Sequence, residues 1–122
     1  MATFRPTNNT CELNFDDKFY YTLPLSEKTL HRIVDICDAQ IKALKQIAEN
    51  DKDALSRAYN ISLDALDEML GEGAGADIMS IFDDPGLLEV GQVIAYISEE
   101  YSEKYKAAFP HSNPTPDKRG RR

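Results

Sequence analysis

The residue types that most often carry catalysis are scarce in this chain. Its two histidines, His31 and His111, are far apart in the sequence, and neither has a cysteine or histidine partner at the spacing of a zinc site or a nucleophilic pair. Carboxylates are plentiful, but an acid pair of the glycosidase type needs a cleft, which a few short helices do not imply. We therefore expect that the protein is not an enzyme.

The glycine-rich segment Gly71-Glu72-Gly73-Ala74-Gly75 invites comparison with a phosphate-binding loop. Such loops follow a strand and open a helix, so that free backbone N–H groups point at the anion. Here the segment follows a predicted helix, and Glu72 brings negative charge to the place where an anion would bind. We interpret the segment as the end of a helix followed by a flexible connector.

Two further features suggest metal chemistry and fail on spacing. The residues Asp83, Asp84, Gly86 and Glu89 do not match the alternating oxygen ligands, central glycine and closing glutamate of a calcium loop. The only cysteines, Cys11 and Cys37, have no partners spaced as ligands, and we expect both to be reduced, buried, small apolar residues. We expect no metal and no cofactor.

The charge of the chain is unevenly distributed. The net charge is −7, and the eleven acidic residues between Ala58 and Glu103 are not interrupted by any lysine, arginine or histidine. The last six residues, in contrast, include Lys118, Arg119, Arg121 and Arg122. An acidic body repels phosphate backbones, so nucleic acid is not expected as the main ligand, and we favour a solvated tail over a nucleic-acid contact.

The length of 122 residues suits one domain, and 42% apolar with 29% charged residues is an ordinary globular composition. No apolar run approaches the ~18 residues of a membrane span, and the first ten residues lack the apolar stretch of a secretory signal. We expect no membrane contact and a cytoplasmic protein. Its predicted organisation is a flexible arm over 1–10, a single α-rich domain over 11–110 and a disordered tail over 111–122.

Two short alternating runs, Cys11–Phe15 and Phe19–Leu23, predict an N-terminal β-hairpin. A two-residue turn would mix apolar and polar side chains on each face. A three-residue loop, Asp16 to Lys18, places the apolar side chains on one side, so we predict the longer loop. It requires Lys18 to adopt a left-handed conformation, where glycine is usually preferred.

Helical spacing dominates the rest of the chain. A long helix is predicted from Leu25 to about Asn50, with Ser26 as its N-cap. Its apolar face is expected to contain Leu30, Ile33, Val34, Cys37, Ile41, Leu44 and Ala48.

The second half of the chain predicts shorter elements. A short helix over 52–59 is followed by a break at Asn60 to Ser62 and a second helix over 62–70, which ends at Gly71. A turn of helix is expected over 77–82. A last helix over 85–108 begins with Asp84 as its cap and Pro85 in first position. The fold class is mainly α, a small helical domain with an N-terminal β-hairpin and a disordered basic C-terminal tail.

Several apolar residues lack an obvious place in this core. Ile36, Ala43 and Ile47 lie off the main apolar face of the first long helix, and Tyr20 is uncovered on the hairpin. A lone two-stranded hairpin is marginal in water, so it must pack on helices or on another chain. These features indicate a protein that works by contacting other proteins, and we predict a homo-oligomer.

The stretch from Ser62 to Phe82 resembles the tail assembly chaperones of siphophages and prophages of Gram-positive bacteria. In that family a short acidic helix ends in a stop similar to Leu70-Gly71-Glu72-Gly73-Ala74. A pair like Ile81-Phe82 and a final long helix follow. The order of elements is also similar over most of residues 11–109. The basic end, Lys118 to Arg122, departs from the family pattern.

This resemblance implies a concrete function. Such chaperones coat the long, helical, aggregation-prone tape measure protein before tail tube subunits polymerise around it, in the cytoplasm of an infected or lysogenic bacterium. In many phages a ribosomal frameshift near the end of the gene adds a domain that recruits the tail tube protein. The family has no catalytic residues to assign to this chain.

The candidate contact residues for such a client lie in and after the resembling stretch. Methionine adapts to varied apolar surfaces, so we expect an apolar contact made by Met69, Met79 and Phe82. We expect a charged rim made by Asp67, Glu68 and Glu72. For Met69 and Phe82 the alternative is that each side chain fills the core of its own domain.

Two other classes of function stay open at this point. One is a structural head–tail or tail completion protein of the same kind of phage. The other is a small regulator or antitoxin-like binding module, because a helix, turn and helix around Asn60 to Leu70 superficially suggests DNA binding. The lack of basic residues over 58–103 argues against the second class.

Overall fold

The structure is a computed structural model that describes residues 9–109. Two antiparallel strands, β1 (Thr10–Phe15) and β2 (Phe19–Pro24), precede four helices, which are α1 (Glu27–Lys45), α2 (Ala54–Leu70), α3 (Ala74–Met79) and α4 (Leu87–Ala108). The mainly helical fold with an N-terminal hairpin is therefore confirmed. The tail predicted over 111–122 and the first eight residues of the predicted arm lie outside the described residues.

The hairpin has the register predicted for a three-residue loop, with Cys11 opposite Leu23, Leu13 opposite Tyr21 and Phe15 opposite Phe19. The prediction for Lys18 is wrong, because the left-handed residues are Asp16 (φ 58°) and Asp17 (φ 56°). Aspartate tolerates this conformation since its short polar side chain bonds locally. Here the carboxylate of Asp17 accepts a 2.8 Å hydrogen bond from the Asn14 amide, and the Asn14 side-chain oxygen accepts from the N–H of Asp17 at 2.8 Å.

The core lies between the hairpin and α4. Helices α2 and α3 contribute side chains to the same core. Tyr101 of α4 is buried at its centre, and its hydroxyl donates to the carbonyl of Pro24 at 2.7 Å and accepts from the N–H of Ser26 at 3.2 Å. One side chain thus joins the last helix to the junction between hairpin and α1. The other large, fully buried side chains are Leu13, Leu66, Met69, Ile78 and Ile97.

Helix α1 begins as predicted, with the Ser26 hydroxyl accepting from the N–H of Thr29 at 3.1 Å. It ends at Lys45, earlier than expected. Its predicted apolar face is partly wrong: Ile36 is buried, whereas Val34 and Ile41 are 47% and 48% exposed. The helix carries apolar residues on two sides, and α2 packs on the side that contains Ile36.

The break predicted at Asn60 to Ser62 is wrong, because α2 is one continuous helix. Ser62 does not cap a new helix but lies buried within this one. Its hydroxyl donates to the carbonyl of Ala58 at 2.9 Å and accepts from the side-chain amide of Gln40 in α1 at 3.0 Å. A contact between two helices therefore satisfies the polar group that suggested a break.

The start of α4 also differs from the prediction. Gly86, and not Asp84, is the N-cap, so Pro85 precedes the helix instead of occupying its first position. The Glu89 carboxylate accepts a 3.0 Å hydrogen bond from the N–H of Gly86, which satisfies a donor at the helix start. The predicted end at residue 108 is confirmed. Among the described residues, 9–109, the helices are all too short or too polar to cross a membrane.

Candidate functional site

The resembling stretch forms a tight corner between α2 and α3. Gly71 (φ 120°) ends α2 and donates its N–H to the Asp67 carbonyl at 2.8 Å, and Gly73 (φ 87°) is the N-cap of α3. Both glycines adopt backbone conformations that side chains rarely allow, which explains their presence in physical terms. The predicted helix end is confirmed, but α3 begins at Ala74, three residues before the expected position.

The remainder of the glycine-rich segment is packed and is not a flexible connector. Gly75 lies buried within α3 and so close to α2 that a Cβ atom there would be 2.9 Å from the Leu63 carbonyl oxygen. The Asp67 carboxylate accepts a 2.7 Å hydrogen bond from the N–H of Gly75. Asp67, predicted as part of a charged rim, therefore joins α2 to α3 within this domain.

The opposite side of the corner is held by α1. The guanidinium group of Arg32 donates to the Glu68 carbonyl at 2.6 Å and to the Met69 carbonyl at 3.4 Å, at the C-terminal end of α2. A cation at this end is favourable because the last carbonyls of a helix lack intrahelical partners. The side chains of Glu68 and Glu72 are exposed, as the prediction of a charged rim requires.

The structure does not gather the six predicted contact residues into one surface. Met69 and Met79 are each 2% exposed and belong to the core, so the structure does not support them as surface contacts of the folded domain. For Met69 the structure agrees with the alternative, in which this side chain fills the core of its own domain. Phe82 is half-buried at the edge of the core and lines an open groove away from Glu68 and Glu72.

We name this cleft the hairpin groove, because it lies between the hairpin turn, the segment after α3 and the outer side of α4. The rings of Phe15 and Tyr96 meet edge to face with centroids 5.4 Å apart, and the Tyr96 hydroxyl accepts from the N–H of Asn14 at 3.3 Å. The exposed carboxylates Asp83 and Asp84 directly follow Phe82. The lining residues are Asn14, Phe15, Asp16, Ile81, Phe82, Gln92, Val93 and Tyr96.

A second apolar surface lies where α2 and α4 begin. Leu55 of α2 is 74% exposed and shares a shallow groove with Tyr59, Pro85 and Leu87. Leu88, at 70% exposure, follows on α4. We name these residues the leucine patch. The sequence could have indicated this exposed surface, because Leu87 and Leu88 are adjacent on one helix and cannot both face the same core.

The two cysteines differ in their surroundings. Burial, together with the nearby charge of Glu100, raises the pKa of the Cys11 thiol, which makes it less reactive. Cys37 is half-buried beside the Ser98 hydroxyl at 3.9 Å, and both cysteines are free. In the same part of the chain, no three or more His, Cys, Asp or Glu side chains come together in a way that could hold a metal ion.

The described surface thus includes an aromatic groove with the Asp16 carboxylate in its lining and a patch of exposed leucines. Comparison of the chain with protein-family models, curated proteins and solved structures finds no match. The resemblance of Ser62–Phe82 to tail assembly chaperones accordingly stays a prediction. What the structure adds is a physical role for its glycines and for Asp67 in the corner between α2 and α3.

Proposed function

We propose that this protein is a phage tail assembly chaperone, which binds the tape measure protein in the bacterial cytoplasm and keeps it soluble during tail morphogenesis. The resemblance of Ser62–Phe82 suggests the family. The observation that supports binding most directly is the hairpin groove, a mainly apolar cleft with the Asp16 carboxylate in its lining, on an acidic domain. The tail tube protein is a second partner within the same proposal.

The groove suits a helical client. An amphipathic helix binds a groove by burying the apolar side chains of one face, which recur every three or four residues. The half-buried rings of Phe82 and Tyr96 offer such side chains an apolar surface that the domain itself does not cover fully. Asp16 beside the groove and Asp83 and Asp84 after Phe82 favour a client with basic residues beside its apolar face.

The acidic body suits a protein that holds an aggregation-prone partner. With a net charge of −7 and no basic residue between Ala58 and Glu103, neighbouring complexes repel each other. Binding that favours the dispersed client shifts its equilibrium away from aggregation by mass action. This role requires no nucleotide, metal or turnover.

The test is co-expression with the tape measure protein encoded in the same genome. We expect a recoverable complex and a larger soluble fraction of the client. The double variant Asp83→Lys/Asp84→Lys should weaken the complex severalfold, because charges at the rim of an interface act on association. The matched control, Asp35→Lys/Asp38→Lys, makes the same change of net charge on exposed residues of α1, which does not line the groove, and should bind normally.

Four outcomes would overturn parts of this proposal. If the client is equally soluble with and without the chain and no complex forms, the chaperone function is wrong. Equal loss in both double variants would exclude the hairpin groove as the binding site. Stable incorporation into purified virions would instead favour a tail completion protein, and a salt-sensitive shift of DNA would favour a regulator.

A further inference from the structure

We propose that the leucine patch is the contact surface of a weak symmetric dimer, in which a second copy of this chain covers it. The two-fold axis runs along the groove between α2 and α4, so the α4 side of each patch meets the α2 side of the other. The dimer is argued from described residues alone and does not depend on the proposed function.

The leucine patch concentrates apolar side chains that the fold leaves in water. Among residues 9–109, six large apolar side chains are exposed, and Leu55, Leu87 and Leu88 are three of them. The other three lie elsewhere, on the hairpin and on α1. Scattered apolar residues are ordinary on a protein surface, whereas several gathered in one place mark a contact with another protein.

The groove at the centre of the patch carries no charge. None of its lining residues is acidic or basic, although 29% of the chain is charged and the net charge is −7. The hairpin groove, in contrast, contains Asp16. Interface centres are depleted of charged residues. Two copies of an acidic protein repel each other, so an uncharged patch is where they approach at the lowest electrostatic cost.

The charges around the patch differ between its two sides. The α4 side has three acidic residues and no basic one, namely Asp83, Asp84 and Glu89. The α2 side is neutral overall, with the residues Asp51, Lys52, Asp53 and Arg57. Arg57 pairs with Asp51, whereas Lys52 is exposed and makes no ion pair within residues 9–109.

This asymmetry selects the direction of the axis. An axis along the groove brings Lys52 of each copy towards Asp84 of the other, and this contact occurs twice. An axis across the groove would instead bring the carboxylates of the two α4 sides together, which like-charge repulsion disfavours. The patch is therefore complementary in charge to a second copy of itself.

The exposed leucines fit the same arrangement. Leu88 is 70% exposed and does not line the groove of its own copy. With the axis along the groove, Leu88 packs on Leu55 and Tyr59 of the second copy. Each of these contacts also occurs twice, and it removes from water leucine side chains that the monomer leaves exposed.

The small size of the patch predicts weak association. Few large side chains become buried, so the contact falls at the low end of specific interfaces. We expect a dissociation constant of about 0.1–1 mM. At the micromolar concentrations of denaturation experiments the protein is then mainly monomeric.

Sedimentation velocity of the full chain, from about 10 μM to about 1 mM, tests the proposal. We expect the average mass to rise towards that of a dimer. Leu88→Asp should weaken association at least about tenfold, because it places a charge at the centre of an apolar contact. The matched control, Tyr20→Asp, makes the same change of net charge at an exposed residue of the hairpin and should associate like the parent.

A charge exchange tests the direction of the axis. Lys52→Asp should weaken the dimer severalfold, because it places a carboxylate opposite Asp84 of the second copy. Lys52→Asp/Asp84→Lys returns opposite charges to the contact at the net charge of the parent, and it should recover most of the association. An absence of recovery would overturn the proposed pairing.

Spectra of ¹H–¹⁵N correlations at increasing protein concentration locate the contact, and we expect amide shifts at Ser56, Tyr59 and Leu88. The proposal is overturned if the chain stays monomeric at about 1 mM or if the shifts lie on the hairpin or on α1. Equal losses in Leu88→Asp and Tyr20→Asp would also overturn it. These measurements contain no client, so a failure to bind the tape measure protein leaves them unchanged and the two proposals fail separately.

Discussion

The two ends of the domain are packed to different degrees. At the end formed by the hairpin, α3 and the C-terminal half of α2, the side chains of Cys11, Leu66 and Ile78 are completely buried. At the other end, which holds the second half of α1 and the start of α2, Ala58 is the only buried residue within 41–60. Both ends contain apolar residues in the sequence, yet only one of them forms a core.

The difference lies in what covers each end. The packed end is joined across elements by Arg32 on the end of α2, by Asp67 on the start of α3 and by Tyr101 on the hairpin exit. The open end has an ion pair between Arg57 and Asp51, at 2.6 Å, in which the arginine side chain is 60% exposed, and pairs at the surface add little stability. We expect local unfolding to begin there, and amide hydrogen exchange should be fastest over residues 41–60.

The largest test of this comparison replaces one leucine at each end. Leu66→Ala removes a fully buried side chain and should lower the free energy of unfolding by about 2–5 kcal/mol. Leu55→Ala changes a side chain that is mostly exposed and should stay within about 0.5 kcal/mol of the parent. Chemical denaturation measures both, and similar losses would show that the open end is packed after all.

A second test makes the same glycine-to-alanine substitution at two positions, for which we expect changes in stability of opposite sign. Gly75→Ala places a methyl group 2.9 Å from the Leu63 carbonyl oxygen, so the corner must shift at a cost of about 1–3 kcal/mol. Gly91→Ala introduces the same methyl group into α4, where nothing lies within 4 Å. It should stabilise the protein by roughly 0.5–1 kcal/mol through helix propensity. Thermal unfolding of the two variants should therefore shift in opposite directions.

A third test removes one hydroxyl group from the packed end. Tyr101→Phe deletes the bonds to Pro24 and Ser26 and should cost roughly 0.5–1.5 kcal/mol. Tyr105→Phe is the matched control, because this buried tyrosine makes no hydroxyl hydrogen bond within residues 9–109. An equal loss in both variants would mean that the hydroxyl bonds of Tyr101 do not hold the hairpin exit.

The same tyrosine predicts a dependence on alkaline pH. Burial raises the pKa of Tyr101 above its ordinary value of 10.0, so the folded state holds the phenolic proton more tightly than the unfolded chain. This contribution to stability is complete below pH 10.0 and is lost as the pH rises through the folded-state pKa. The alkaline loss should be smaller in Tyr101→Phe when unfolding is followed between neutral and strongly alkaline pH.

The smallest effect is expected at the open end. The N–H of Asp53 and, after it, the guanidinium of Arg57 lower the pKa of Asp51 below its ordinary 3.8. The resulting stability is present above pH 3.8 and is lost as the pH falls through the lowered pKa. In Arg57→Gln the pKa measured by NMR titration should rise only part of the way, since the bond from Asp53 persists. A complete return would assign the shift to Arg57 alone.

The hairpin shows what a sequence can predict. Its register followed from a period of two, because a slip of one residue would move every apolar side chain to the wrong face. The turn conformation did not follow, since the pair of hydrogen bonds between Asn14 and Asp17 lets two aspartates take the left-handed positions. Local pattern determined the pairing, and local side-chain chemistry determined the turn.

Helix α2 and the hairpin groove show where such reasoning stops. Asn60 and Ser62 favour a break locally, but the bond from Gln40 to Ser62 comes from another helix, so the sequence around Ser62 does not reveal it. The groove combines Phe15, Phe82 and Tyr96 from three distant segments, and of these only Phe82 was a candidate. A helical pattern suggests which face of a helix is apolar, but it does not show which side chains from distant segments meet at the edge of a core.

The absence of lysine and arginine from Ala58 to Glu103 has a practical consequence for biochemical work. Trypsin cleaves after these residues, so a complete digest releases Ala58–Lys104 as one long peptide that includes all of α3 and most of α2 and α4. Amine-reactive labels find no lysine between Lys52 and Lys104. Coupling through lysine would therefore immobilise the protein while leaving α2 and α3 chemically unmodified for binding measurements.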